Sequence, residues 1–171
     1  MKDSSRPLFS ECSRLLGCML LIVLMFGCQS LIFDPRGHRV PESSWIELHP
    51  SGDYSGTWNK QDLSLAYKFV RNQNQLRISG SIQIADRITN SFFIIQYFHL
   101  DAIPVDAQGK VLNMIGLTSA ANVNTLFDHS LDFSTTLTLP SNTEAIAFSY
   151  RGRAYGTEHG DIMDFWEYPV Y

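Results

Sequence analysis

The stretch Leu63-Ser64-Leu65-Ala66-Tyr67-Lys68-Phe69, then the polar Arg71-Asn72-Gln73-Asn74-Gln75, then Leu76-Arg77-Ile78-Ser79-Gly80-Ser81-Ile82-Gln83-Ile84, decides the fold class. Large apolar residues recur at every second position on both sides of the polar turn. A strand, whose side chains point alternately to opposite faces, is the element with that period. The two runs predict a hairpin that buries Leu63, Leu65, Tyr67 and Phe69 beside Leu76, Ile78, Ile82 and Ile84. Gly80 interrupts the second run and predicts a bulge or a close backbone approach.

Toward the C-terminus, Phe92-Phe93-Ile94-Ile95-Gln96-Tyr97-Phe98-His99-Leu100 is too apolar to alternate and reads as a central strand covered on both faces. Asp106-Ala107-Gln108-Gly109-Lys110 supplies a turn with Gly109 at positive φ, and residues 111–117 return as a strand. Leu131, Phe133, Thr135, Leu137 and Leu139 keep the period of two until Pro140-Ser141-Asn142-Thr143 ends it. Ala145-Ile146-Ala147-Phe148-Ser149-Tyr150 follows, ending near Arg151-Gly152-Arg153. Short strands at this spacing, without amphipathic helices between them, predict an all-β chain with a single antiparallel β-sandwich over 53–171. A short helix is expected only within 119–130. The long apolar strand, the D-x-x-G turn and the later Pro-bounded strand resemble the small immunoglobulin-like sandwich domains of bacterial lipoproteins. That resemblance implies an interaction or structural module and carries no functional residues across.

Toward the N-terminus the pattern breaks down. Asp34-Pro35-Arg36-Gly37, Pro41-Glu42-Ser43-Ser44 and His49-Pro50-Ser51-Gly52 are turn clusters, so 28–52 is expected to be an irregular tether, with Trp45, Ile46 and Leu48 suited to packing on the domain. Ahead of it, Lys2, Arg6 and Arg14 precede an apolar run over 15–26 that ends in Gly27 and Cys28. Basic start, apolar stretch and small residue stand in the order of a signal peptide, expected to be helical and to occupy 1–27. The run is shorter than the roughly 20 residues a spanning helix needs.

Leu24-Met25-Phe26-Gly27-Cys28 resembles the lipobox of bacterial lipoproteins, with Phe26 where that family usually has a small residue. The resemblance implies cleavage before Cys28 and its lipidation, which would hold the protein on a membrane through two or more acyl chains. Leu15-Leu16-Gly17-Cys18 is the competing match, but no apolar segment lies upstream of it. Gln29, which is not the aspartate associated with inner-membrane retention, implies the inner leaflet of the outer membrane, facing the periplasm. A Gram-positive surface lipoprotein stays open as the alternative.

Removal of 1–27 takes three basic and two acidic residues from the 13 and 17 of the whole chain, leaving 10 and 15 and a net charge of −5. That balance gives no electrostatic footprint for nucleic acid. Cys12 and Cys18 leave with the signal and Cys28 would be acylated, so the domain is expected to have no internal disulfide and to depend on its core.

Chemistry is sparse. The segment from Tyr155 to Glu167 concentrates acids, His159 and aromatics, but its spacing matches neither the HExxH helix nor the calcium loop, so no metal and no cofactor are expected. There is no G-x-S-x-G elbow, so no catalytic residue is assigned. His38, His49, His99 and His129 are scattered, and His99 reads as a hydrogen-bonded core histidine. Asp101 and Asp106 could pose as a carboxylate pair for glycoside hydrolysis, but Asp106 reads better as a turn residue and Asp101 as a strand-end polar group. The residues singled out for ligand or partner contact are Trp58, Arg151, Arg153, His159, Asp161 and Trp166. Two classes of function follow: a non-enzymatic envelope module that docks a protein partner, and a periplasmic protein whose site is scattered in sequence, either a binder of glycans or small molecules or a hydrolase. A polar pocket holding His159, Asp161 and Arg151 would favour the second, and a flat or apolar patch along a sheet edge the first.

Overall fold

A computed structural model describes residues 34–49, 51–125, 130–156 and 160–171, with one compact unit over Pro35–Tyr171. Cys28, the 1–27 segment, His129 and His159 lie outside the described residues. The strands are β1 (Ile46–Glu47), β2 (Ser51–Asn59), β3 (Leu63–Asn72), β4 (Gln75–Ile84), β5 (Ile94–Val105), β6 (Ile115–Asn124), β7 (Ser130–Thr138), β8 (Ala145–Tyr155) and β9 (Ile162–Glu167). One helical turn, α1 (Asp86–Thr89), joins β4 to β5.

The strands form two antiparallel sheets, ordered β2-β3-β4-β7 and β1-β8-β5-β6, with β9 also beside β8. β7 lies beside β4 and β8 beside β5, the crossing pattern of an immunoglobulin-type Greek key. The chain is the all-β sandwich its alternating runs predict. Phe69, Leu65, Ile78 and Ile82 of one sheet meet Phe98, Leu100 and Phe148 of the other in a core where each is at most 1% exposed.

The β3–β4 hairpin turns on Gln73 and Asn74, with Gln73 at φ 54, while Asn72 and Gln75 still pair across it. Gly80 makes no bulge: it stands in register between Tyr67 and Phe133. A Cβ there would lie 2.7 Å from the Ala66 carbonyl oxygen and 2.9 Å from the Phe133 ring, so the close-approach reading holds. Gly152 repeats the device under the ring of its cross-strand partner Phe165.

Three expectations are corrected. Residues 119–124 continue β6, and the helical turn stands instead at Asp86–Thr89, a segment too short for periodicity to announce. Residues 111–117 do not form one strand: Val111 makes an isolated bridge to Val105, and β6 begins at Ile115. The run 92–100 is not covered on both faces. A bulge at Gln96 breaks its alternation, since Ile95 pairs with Ala154 but Tyr97 with Arg153. One extra residue flips the parity, putting Ile95, Phe98 and Leu100 inside and turning Tyr97, His99 and Asp101 outward.

Coverage on both faces comes later in β5. Ile103 and Val105, with Ala145 and Ala147 of β8, build a second core with Val40 and Val111 on the outer face of the five-stranded sheet. Trp45, Met114, Tyr168 and Val170 pack against it. Part of the expected tether is therefore integrated: Val40 and Leu48 are buried, Trp45 Nε1 donates to the Val40 carbonyl at 3.0 Å, and Arg71 donates to the Leu48 and Thr143 carbonyls at 3.0 and 3.1 Å.

Candidate functional site

Where the second core ends, the outer face of the five-stranded sheet becomes polar and aromatic. Cross-strand register builds it in rows. Ser119, His99, Arg151 and Trp166 form one row through β6, β5, β8 and β9, and Ala121, Tyr97, Arg153 and Asp164 form the next. Gly116, Asp101 and Ser149 form the row that borders the second core.

A second bulge shapes this border. Leu100 pairs with Thr118 but Asp101 with Gly116, so Leu117 is the extra residue of β6 and its side chain goes into the core. Bulges re-aim neighbouring side chains. The Asp101 carboxylate leans toward Gly116, where a Cβ would stand 3.7 Å from its Oδ1. Asp101, Met114, Ser149, Tyr150, Arg151, Trp166 and Tyr168 line a cleft of about 240 Å³.

The electrostatics are uneven along the face. Burial pushes the Asp101 carboxyl above the usual carboxylate range, against the opposing pull of Arg151 and His99. Ser149 is 2% exposed, and its Oγ has no hydrogen-bond partner among the described residues, an uncompensated cost for a buried hydroxyl. Trp166, by contrast, is 65% exposed. Farther along, Arg153 grips Asp164 through two bonds of 2.6 and 3.0 Å, with its guanidinium 5.7 Å from the centre of the Tyr97 ring. That pairing raises the Arg153 pKa and lowers that of Asp164. Both are exposed, so the pair orders the surface more than it stabilises the fold.

The expected contact residues separate. Arg151, Arg153 and Trp166 share this face. Asp161 is exposed in the β8–β9 connection, beyond the far end of that strand pair. Trp58 faces the interior, its ring centre 5.5 Å from that of Phe148 and 5.8 Å from that of Tyr150. His99 is not a core histidine: it is half-buried on the outer face, 5.9 Å from the Tyr97 ring. Asp101 is no strand-end group but stands inside β5 at the cleft. Asp106 is the turn residue, its Oδ1 accepting from the Gln108 and Lys110 amides at 2.9 Å each. Sequence reading missed Asp101 and Ser149 as a pair, because each looks like an ordinary polar interruption and only strand pairing brings them together. Among the described residues, no group of three His, Cys, Asp or Glu side chains could hold a metal ion.

Elsewhere, a shallow trough of about 510 Å³ crosses the four-stranded sheet over Ser55, Thr57, Ala66, Lys68 and Ser79. It is larger but carries no buried unpartnered group among the described residues and no carboxylate. We place the candidate site at the smaller cleft for that reason. No protein-family model and no curated protein matches this chain.

Proposed function

We propose that this chain is a cell-envelope lipoprotein held to the membrane by acyl chains on Cys28, and that its sandwich is a non-enzymatic interaction module. Its binding surface is the outer face of the five-stranded sheet. One observation carries the choice of face: Trp166 and Arg151, neighbours in the β8–β9 ladder, are both exposed beside a cleft with a buried unpartnered hydroxyl. Large exposed aromatics and arginines are the residue types that anchor recognition surfaces.

The compact unit begins at Pro35, close in sequence to Cys28, so acylation there would keep the domain at the membrane surface.

Mass spectrometry of the full chain purified from cross-linked native membranes tests this. The expected result is an acylated N-terminal peptide beginning at Cys28 and an envelope protein that co-purifies with the wild type but not with Trp166→Ala. An intact, unlipidated N-terminus would overturn the anchoring, and a partner retained equally by Trp166→Ala would overturn the choice of face.

A further inference from the structure

The cleft has a chemistry more specific than a docking surface requires. Asp101 is half-buried in its wall and would repel an anion, while Arg151 beside it disfavours a cation. A neutral ligand with several hydroxyls satisfies both groups. Its hydroxyls donate to the Asp101 carboxylate and accept from the Arg151 guanidinium, and one of them exchanges a hydrogen bond with the Ser149 Oγ that the protein leaves unpaired.

The walls add an apolar component. Trp166 and Tyr168 present ring surface and Met114 a flexible thioether beside these polar groups. A pyranose ring has the matching duality: C–H groups on one face for stacking, and hydroxyls around its edge. The volume agrees, since an apolar cavity of about 150 Å³ accepts a benzene ring, and about 240 Å³ leaves room for a six-membered ring with its substituents.

We propose that the cleft lined by Asp101, Ser149, Arg151, Trp166 and Tyr168 is a saccharide subsite that takes one pyranose unit of a glycan. The proposal rests on the reading of this face as the binding surface and not on lipidation at Cys28.

The test is saturation-transfer difference NMR on the full chain in detergent, with N,N′-diacetylchitobiose and cellobiose as probes and choline and inorganic phosphate as charged controls. Saturation transfer to ring protons of at least one saccharide, with neither control binding, is the expected result. Affinity falls about tenfold or more in Trp166→Ala and in Ser149→Ala. Neither substitution threatens folding, because Trp166 is exposed on a short peripheral strand and Ser149→Ala removes only an unpaired hydroxyl. Transfer from neither saccharide at roughly 10 mM, or equal transfer in Trp166→Ala, overturns the proposal. If the saccharides are silent while Trp166→Ala still sheds the cross-linked envelope partner, the subsite fails and the docking module stands. If Trp166→Ala also leaves the partner in place, both fail.

Discussion

The outer faces of the two sheets are built from the same kind of strand and have opposite fates. On the four-stranded sheet, Ser55, Thr57, Lys68, Arg77, Ser79 and Ser134 alternate with core residues and meet solvent, as an antiparallel sheet with one wet face should. On the five-stranded sheet, one end of the outer face is sealed by the segment around Val40 and Trp45 and by the C-terminal Tyr168 and Val170, while the other end is bare. The cleft sits at the seam. A face that is wholly wet offers no desolvated polar group, and one that is wholly sealed offers no access. The boundary alone supplies a buried hydroxyl next to open solvent.

The largest effect that would break this contrast lies in the second core. Ile103 is 0% exposed, whereas Val70, on the outer face of the other sheet, is 45% exposed. Ile103→Ala should cost about 2–5 kcal/mol in denaturant unfolding, and Val70→Ala should fall within about 0.5 kcal/mol of wild type. Equal costs would mean that the covering segments do not seal the face.

Close packing beneath the polar face gives the next effect. Gly152 lies under the Phe165 ring, and an added methyl must displace a side chain that is 2% exposed. Gly152→Ala should destabilise by about 1–3 kcal/mol. Gly56→Ala, on the four-stranded sheet, meets the Tyr67 ring, whose hydroxyl would be 2.5 Å from the new Cβ, but Tyr67 is half-buried where Phe165 is buried and so has more room to give. A smaller cost is expected there, and thermal unfolding of both variants checks the order.

A comparable effect, separable by its pH dependence, tests the seam between the sheets. Tyr150 donates to the Asp62 Oδ2 at 2.8 Å, and Asp62 is 6% exposed and paired with Arg87. Tyr150→Phe leaves that carboxylate one donor short, at about 1–3 kcal/mol. Burial first, then Glu167, pushes the Tyr150 pKa up to about 12. Because unfolded tyrosine ionises near pH 10, this group's contribution is whole below about pH 10 and is lost as pH rises through about 12. Burial raises the Tyr67 pKa as well, so denaturant titrations below and above about pH 10 should show a larger alkaline loss in the wild type than in Tyr150→Phe.

What could be read from the chain follows the same division. The β3–β4 hairpin of the four-stranded sheet was readable in detail, because Leu63 to Phe69 and, apart from Gly80, Leu76 to Ile84 keep the period of two and strand polarity is a local property, whereas β2, with Gly52 and Gly56 and few large apolar residues, did not announce itself as a strand. The five-stranded sheet was readable only as strand. Its Gln96 bulge shifts parity by one residue, an event with no local signature, so Tyr97 and His99 seemed to belong to a core they in fact face away from. Arg151 and Trp166 stood out by residue type, but their adjacency to Asp101 and Ser149 is a matter of register between strands distant in sequence.

The smallest effect bears most directly on what the seam is for. Burial holds the Asp101 carboxyl above its usual range, so the folded state prefers the protonated form. The stability contributed by that preference is complete below the unfolded aspartate pKa of about 3.9 and is lost as pH rises through the higher folded value. At neutral pH the ionised Asp101 is therefore a burden on the fold. Asp101→Asn should raise stability at neutral pH and lose that advantage in acid, whereas Asp132→Asn, exposed on the four-stranded sheet, should change little at either pH. Denaturant midpoints at the two pH values check both. A carboxylate that makes the protein less stable where it is ionised, beside a serine hydroxyl buried without a partner, is the arrangement expected where binding rather than folding sets the residue. A stabilised Asp101→Asn that also loses saccharide contact would tie the two costs to one site, and an Asp101→Asn less stable than wild type at neutral pH would assign the carboxylate to the fold instead.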